Sequence, residues 1–345
     1  MLFVKVLASV AENIRQALIK KSLLAIEYHI IRRDGFIYFP VKQHPGPDFE
    51  VVELEAQSFT PKYFKMKDLL SKLLTSAELE SLTTSFDIVG DIVIVEIPEE
   101  LEKKEKQIAE AVLKVHKNAK VIAKKTGPME GEFRIRKLKV ILGENRTETI
   151  YKEHGVKIKL DPAKVYFSIR LSSERKRIAG LVKSGENILA LFAGVGPFPL
   201  VISKSHPDTN IVAIELNPEA VRYMEENIKL NNFRNILPIN GDARNVVLSD
   251  YKNFADRILM TLPKSAETFL DVAFAGAKDC CVIHIYGFAP IEDPYSQMKK
   301  RILTEAKKDN CVVEFLGERI VRPYAPHIVQ VAIDFRVSKS VHPKQ

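Results

Sequence analysis

Glycine, aspartate, glutamate and threonine stand at the ends of short apolar runs in the second half of this chain, where strand ends could present them to a ligand. The run Ile188 to Phe192 reads as a buried strand, and Gly194 and Gly196 after it make a turn with no side chains in the way. A second run, Ile211 to Ile214, ends in the acid Glu215. A carboxylate about 20 residues beyond such a turn can accept both hydroxyls of a ribose, so an adenosine derivative is expected. A dinucleotide would want a third glycine where Pro199 stands, and the chain has no phosphate-binding G-x-x-x-x-G-K-[ST] loop. A phosphate-free cofactor therefore fits better. On the two glycines alone, an ordinary strand–turn–helix is an equal alternative.

The following segments strengthen the crevice. Asn217 and Pro218 open an amphipathic helix, Glu219 to Leu230, and a third strand, Ile236 to Ile239, runs into Gly241, Asp242 and Ala243. Asp242 could accept the adenine amino group, with the Ala243 amide beside it. A fourth strand, Arg257 to Met260, ends in Thr261-Leu262-Pro263-Lys264. In open α/β sheets ligands lie outside the carboxyl ends of the strands, so all four polar ends would face one crevice. The A-G-x-G turn followed by an acid is similar to that of AdoMet-dependent methyltransferases, which makes S-adenosyl-L-methionine (AdoMet) the expected cofactor.

The elements that must hold this crevice occupy residues 161–345, expected as a Rossmann-like doubly wound α/β domain. Two smaller α+β units are expected before it, at 1–68 and 69–160. The first reads as a helix from Val10 to Lys21, a strand Tyr28 to Arg32, a turn through Gly35 and a strand Phe36 to Val41. In the second, strands flank Gly90-Asp91, a helix runs from Glu99 to Lys117, and strands follow at Lys120 to Ala123, Phe133 to Leu142, Thr147 to His154 and Val156 to Leu160. Arg134 and Arg136 alternate with Phe133 and Ile135, so both share a strand face suited to phosphate or carbonyl oxygen. A salt bridge to Glu132 or Glu144 is the competing reading. Most of the lysines from 103 to 120 read as a solvated helix face.

With 345 residues, 46% of them hydrophobic, the chain can build two or three cored domains. Its 52 basic against 44 acidic residues give +8, which favours a nucleic-acid partner. Three cysteines, with Cys280 and Cys281 adjacent and buried-looking, fit a reducing compartment, and no His or Cys spacing suggests a metal. Glu12, Arg15, Lys20 and Lys21 interrupt the apolar N-terminal stretch, so neither a signal peptide nor a membrane span is expected. A cytoplasmic monomer is the expectation, since no dimer seam is evident.

In chain order, GEFR, GENRT, AKVYFSIRL with its following ER pair, FAGVGPF, AIELNP, NIKLN, GDAR, LPK, VRPYAP and VAIDF resemble the archaeal and eukaryotic tRNA (guanine37-N1)-methyltransferase family over nearly the full chain. The resemblance implies a class I AdoMet-dependent methyltransferase acting on the anticodon-loop nucleotide 37. It makes Glu174 the general base for guanine N1 and puts Arg175 against the cofactor. Arg134 would hold the O6 where charge accumulates. Tyr166 and Phe167 could stack on or wedge an extruded base, with linker packing as the competing reading. Glu215 would bind the ribose, Leu216 would pack beside the adenine, and Asp242 and Ala243 would meet its edge. Gly194 belongs to the cofactor turn, and Thr261 occupies the asparagine position of the N-L-P-K motif. The N-terminal unit would contact the outer corner of the tRNA.

Several residues depart from the family pattern. Glu215 replaces the more usual Asp, Ala190 stands where many members carry an acid, and Ile169 replaces a proline. Thr261 removes an amide beside the methyl donor. That change points to the archaeal branch that also methylates C7 of 4-demethylwyosine, the preferred expectation. A monofunctional guanosine enzyme, a wyosine-pathway aminocarboxypropyl transferase and a non-catalytic tRNA-binding protein remain the alternatives.

Overall fold

An apolar run broken only by Lys5 makes strand β1 (Leu2–Leu7) at the start of the chain, whose neighbours Phe3 and Val4, on opposite faces, are both fully buried. Helix α1 (Ala11–Lys20) follows, then β2 (Ile31–Arg33), β3 (Phe36–Pro40) and β4 (Val51–Glu53), joined in a sheet of order β2-β3-β1-β4. Tyr28 falls short of the expected strand and makes only a lone bridge to Ser58. The computed structural model describes residues 1–25, 27–58, 69–71, 73–82, 86–131, 133, 135–262 and 264–339. The backbone divides into two units, Met1–Leu73 and Leu74–Gln345.

The second unit opens with α2 (Ser76–Ser81), capped at Thr75 by a reciprocal bond pair with Glu78. Strands β5 (Asp87–Val89) and β6 (Ile92–Val95) form a hairpin across Gly90. The expected helix at 99–117 is split: a 3₁₀ segment, Glu99–Lys104, precedes α3 (Glu105–Val115), the backbone leaving helical geometry at Lys104 (φ −109°, ψ 9°). Strands β7 (Val121–Glu130) and β8 (Ile135–Gly143) complete a sheet of order β5-β6-β7-β8. A separate hairpin joins β9 (Thr149–Glu153) to β10 (Val156–Leu160).

Helix α4 (Ser172–Leu181) leads into the large sheet. Its elements in chain order are β11 (Asn187–Leu191), α5 (Pro197–Ser205), β12 (Asn210–Glu215), α6 (Pro218–Leu230), β13 (Ile236–Asn240), α7 (Ala243–Asp250), β14 (Ala255–Met260), α8 (Leu270–Gly276), β15 (Ala277–Pro290), α9 (Ser296–Lys308), β16 (Cys311–Ala325) and β17 (Ile328–Lys339). The strand order is β13-β12-β11-β14-β15-β17-β16, parallel as far as β15 and closed by antiparallel β17 and β16. This is the expected doubly wound α/β architecture, with the order reversing between β11 and β14. Alternate residues of β11 feed two cores. Ile188 and Ala190 join Ile178, Leu200 and Met224 of α4, α5 and α6, while Leu189 and Leu191 join Val247, Val272 and Ile302 of α7, α8 and α9. The cysteine expectation is corrected at one position: Cys281, where regular pairing to β17 begins, is buried, but Cys280 has a positive φ (61°) in the irregular start of β15 and is exposed.

Candidate active site

The crevice forms where β11 and β14 part company. Gly194 (φ 58°) and Gly196 (φ 84°) turn the chain through the left-handed region that L side chains resist, and Gly196 caps α5. A Cβ on Gly194 would meet nothing closer than the Tyr166 carbonyl at 3.9 Å, so the space over the turn is open. Phe192 also has positive φ (60°), a strained position for an aromatic residue, and is braced edge-on by Phe269 at 4.9 Å.

Four strand ends meet there. Glu215 Oε2 accepts the Gly194 N–H at 2.8 Å and Oε1 accepts that of Asn217 at 2.8 Å. Each carboxylate oxygen keeps a second lone pair, enough to accept two ribose hydroxyls. Burial raises the Glu215 pKa, and the backbone N–H groups of Asn217 and Gly194 oppose that rise. Leu216 is 38% exposed, an apolar surface beside the acid. Asp242 caps α7, taking the Arg244 and Asn245 N–H groups on Oδ1 and leaving Oδ2 for another donor, with Ala243 next to it. Thr261 turns its hydroxyl onto the Phe192 and Leu191 carbonyls at 3.1 and 3.3 Å, closing the gap between β11 and β14. This set fits a nucleoside: an open glycine turn, a diol acceptor, an apolar surface and a base-edge acceptor.

Glu174 lies in the first turn of α4, only 4% exposed. Its Oε1 accepts three bonds, from Arg177 Nε at 2.9 Å, Arg177 Nη2 at 2.5 Å and the Tyr286 hydroxyl at 2.9 Å. Oε2 carries one long contact, to Arg319 Nη1 at 3.4 Å. Burial and the Glu174 charge hold the Tyr286 hydroxyl well above its usual pKa, so it stays a donor. The Tyr286 ring also lies 6.0 Å from Phe198, two residues after Gly196, and so connects this carboxylate to the glycine turn.

Behind Glu174 the polar network continues. Arg177 Nη1 donates to Asp334 Oδ2 at 2.5 Å, and Asp334 Oδ1 pairs with His284 Nδ1 at 2.7 Å. His284 Nε2 lies 2.6 Å from Arg257 Nη1. Arginine can only donate, so Nε2 is the acceptor and Nδ1 carries the proton donated to Asp334. His284 is therefore neutral, in keeping with the downward pKa shift its burial causes. Burial works to raise Asp334, but its bonds to His284 and Arg177 prevail and bring its pKa down to about 2. Sequence reasoning missed Tyr286, Arg319, His284 and Asp334. Arg177 left a signal in its i,i+3 spacing from Glu174, and Asp334 one in the VAIDF motif, where its role could not be read.

Arg175 is 1% exposed and grips the Glu153 carboxylate through Nε and Nη2, the latter at 2.7 Å, while Nη1 donates to the Ser168 carbonyl at 3.1 Å. Its guanidinium also lies over the Phe167 ring at 5.3 Å. In this structure Arg175 therefore supports the 166–168 linker, whose Tyr166 carbonyl borders Gly194. Phe167 packs edge-on against Tyr151 at 5.3 Å, the linker-packing arrangement. Arg134 lies outside the described residues. Its strand neighbour Arg136 pairs with Asp87 at 3.0 Å, and Asp87 also binds Arg170 at 3.0 Å; Glu132, one of the two expected partners, also lies outside the described residues.

A family model described as the TRM5/TYW2 methyltransferase domain matches residues 149–314, a TYW2 N-terminal domain matches 66–147, and a tRNA methyltransferase 5 N-terminal domain matches 4–50. The chain is 44% identical over 338 residues to the tRNA (guanine(37)-N(1))-methyltransferase Trm5b of Pyrococcus abyssi, covering 98% of this chain and 99% of the relative. The crystal structure of that Trm5b superposes with a TM-score of 0.76 over the same shares of the two chains. Methanocaldococcus jannaschii Trm5 in complex with adenosine matches at 34% identity and TM-score 0.66, covering 99% of this chain and all of that one. The Nanoarchaeum equitans tRNA (guanine(37)-N(1))/4-demethylwyosine(37)-methyltransferase Taw22 is 38% identical over 269 residues, 63% of this chain and 88% of the relative.

Proposed function

The chain belongs to the TRM5/TYW2 methyltransferase family, and from that premise we propose that it methylates N1 of the guanosine at position 37 of tRNA, using AdoMet. The cofactor supplies an electrophilic methyl carbon. The chain's residues then have three tasks: to seat the adenosine half, to hold the base edge, and to take the N1 proton. Gly194, Glu215, Leu216, Asp242 and Ala243 serve the first task. The observation that carries the reading is the asymmetry of Glu174. Its Oε1 is pinned by Arg177 and Tyr286, while Oε2 has only the 3.4 Å Arg319 contact and is the oxygen available to receive a proton. Neutral guanine N1 is a poor nucleophile until deprotonated, so a carboxylate fixed in one rotamer meets the need. Arg134 is assigned the O6 on which charge develops, by resemblance alone.

Residues 161–345 would carry the chemistry, 69–160 would link it to the RNA, and 1–68 would read the outer corner of the tRNA. A second reading, methylation of 4-demethylwyosine at C7, rests on Thr261, whose short side chain is turned onto the backbone and on this reading would leave room for a larger base. The bifunctional Nanoarchaeum relative gives it further support. Purified protein incubated with labelled AdoMet and tRNA bearing either guanosine or 4-demethylwyosine at position 37 tests both readings. Label on guanosine is expected. Label on guanosine alone removes the second reading, and no label on either removes both. Release of methylthioadenosine in place of S-adenosylhomocysteine would assign aminocarboxypropyl transfer instead.

A further inference from the structure

The motif Val321-Arg322-Pro323-Tyr324-Ala325-Pro326 has no part in the site described so far. It lies near the end of β16, the edge strand of the large sheet, where the ladder to β17 is irregular. Arg319 pairs with Ala332 and Ile320 with Val331, but Arg322, not Val321, pairs with Gln330. Ala332 and Gln330 are two apart and share a sheet face. The extra residue therefore brings Arg322 onto the face of Arg319, whose side chain reaches Glu174. Without the bulge, strand alternation would turn Arg322 away.

On β15 the same face carries Tyr286, opposite Ala332, and Phe288, opposite Gln330. One rung, Tyr286–Ala332–Arg319, thus serves Glu174. The next rung on that face, Phe288–Gln330–Arg322, lies about 7 Å further along the strands. There the Tyr324 ring lies over Phe288, centroids 4.0 Å apart and planes 31° from parallel. The Arg322 guanidinium lies 5.7 Å from the Tyr324 centroid and is held by its Nε donating to Gln330 Oε1 at 2.8 Å, Gln330 itself being buried. Tyr324 nevertheless remains 44% exposed.

Arg322 and Tyr324 form one wall of a cleft of about 200 Å³ whose other wall includes Tyr166 and Ser168 of the linker bordering Gly194. Among the described residues that line this cleft the cations are Lys125, Arg136, Arg170 and Arg322 and the one carboxylate is Asp87, which is shared by Arg136 and Arg170, while Lys125 pairs with Glu96 beside it. An exposed aromatic ring backed by a second ring, flanked by a fixed guanidinium and set in a basic cleft, is the chemistry that holds an unpaired nucleobase and its phosphates.

We propose that Tyr324, backed by Phe288 and flanked by Arg322, is a stacking platform for the base next to the target nucleotide. A duplex or well-stacked loop offers no free base face, so the platform selects an anticodon loop in which a neighbour of position 37 has come out of its stack. The inference rests on the reading that guanosine 37 of tRNA is the substrate.

The test uses the full-length protein, its Tyr324→Ala and Tyr324→Phe variants, and tRNA carrying 2-aminopurine at position 36 or 38. Tyr324→Ala is expected to weaken tRNA binding about 5- to 100-fold, the range for losing one base–aromatic stack. Tyr324→Phe, which keeps the ring, stays within about twofold, and AdoMet affinity is unchanged in both. One of the two fluorescent probes should be quenched on binding wild-type protein and less so with Tyr324→Ala, which also says which neighbour is held. Unchanged tRNA affinity in Tyr324→Ala, or no quenching of either probe by wild-type protein, overturns the platform. The probe measurement on wild-type protein stands even if the alanine variant folds poorly. Wild-type methylation of guanosine 37 beside an unaffected Tyr324→Ala sinks only this inference, whereas no wild-type methylation sinks the reading beneath it.

Discussion

Glu174 shows how little a residue's type says about its work until its donors are known. Three bonds fix Oε1 and leave Oε2 with one long contact. Glu174→Gln is expected to slow single-turnover methyl transfer by about 10²- to 10⁴-fold, the usual worth of a positioned base, with AdoMet affinity unchanged by equilibrium dialysis. A rate within threefold of wild type would remove Glu174 from the proton transfer. His284 leads to a pH prediction. Its folded pKa lies below the ordinary histidine value because it is buried between Arg257 and Asp334, with Arg177 beyond. An unfolded chain takes up that proton near pH 6.5, so this contribution to stability is whole above pH 6.5 and declines as pH falls below it, by at most about 1.4 kcal/mol per pH unit. Asp334, at about 2 in the fold, adds a loss only in stronger acid, below its ordinary carboxylate range. Urea midpoints at pH 7.5 and 5.5 should therefore converge in His284→Gln relative to wild type. An equal acid loss in both proteins would refute the neutral assignment.

At the scale of elements, the NIKLN motif has a structural explanation. Asn227 in the last turn of α6 and Asn231 at its C-cap, four residues on, face the free edge of β10. Each side-chain amide both donates to and accepts from one backbone residue: Asn227 with Lys159 at 3.0 and 2.6 Å, Asn231 with Lys157 at 2.6 and 2.8 Å. The amides stand in for a neighbouring strand and cover an edge that would otherwise be unpaired. Asn227 is fully buried and also donates to the Val195 carbonyl at 3.2 Å, which ties the β9–β10 hairpin to the glycine turn. Arg175 and Glu153 join the same hairpin to α4. Asn227→Ala should cost about 3 kcal/mol, since buried groups lose their partners, and should weaken AdoMet binding through Val195. Asn231→Ala, where water can replace the amide, should cost under about 1 kcal/mol. Denaturant titration compares them, and equal costs would contradict the edge-capping account. The sequence made the i,i+4 asparagines visible, but not their partner, a strand about 70 residues earlier that only packing brings to α6.

At the scale of the whole molecule, a net charge of +8 and a cleft lined by Lys125, Arg136, Arg170 and Arg322 fit a polyanionic substrate. Each phosphate contact releases counterions, so tRNA affinity should drop steeply between about 50 and 200 mM salt. AdoMet affinity should scarcely move, because its expected contacts are hydrogen bonds within the crevice. Filter binding and dialysis across that range check the pair, and parallel slopes would argue against phosphate contacts. Removal of residues 1–73 should leave AdoMet binding intact and reduce discrimination against tRNA with a damaged outer corner. Unchanged discrimination would contradict the role proposed for the N-terminal unit. Among the described residues, no helix is long and apolar enough to cross a membrane.

The sequence by itself determined the doubly wound sheet and the strand ends that make the crevice, because apolar runs, glycine turns and terminal acids are local patterns that follow from strand and helix periodicity. Gly194, Glu215 and Asp242 were legible for that reason, and Glu174 was legible through motif resemblance. Only the tertiary structure decided what each polar group faces. Arg175, expected against a cofactor, is bonded to Glu153 and Ser168, and Tyr286, Asp334 and Arg319 reach Glu174 or Arg177 from more than 100 residues away. The bulge that turns Arg322 to the active face exists only as a mismatch between two paired strands. Side-chain partners at such separations depend on register and packing, which no local pattern encodes.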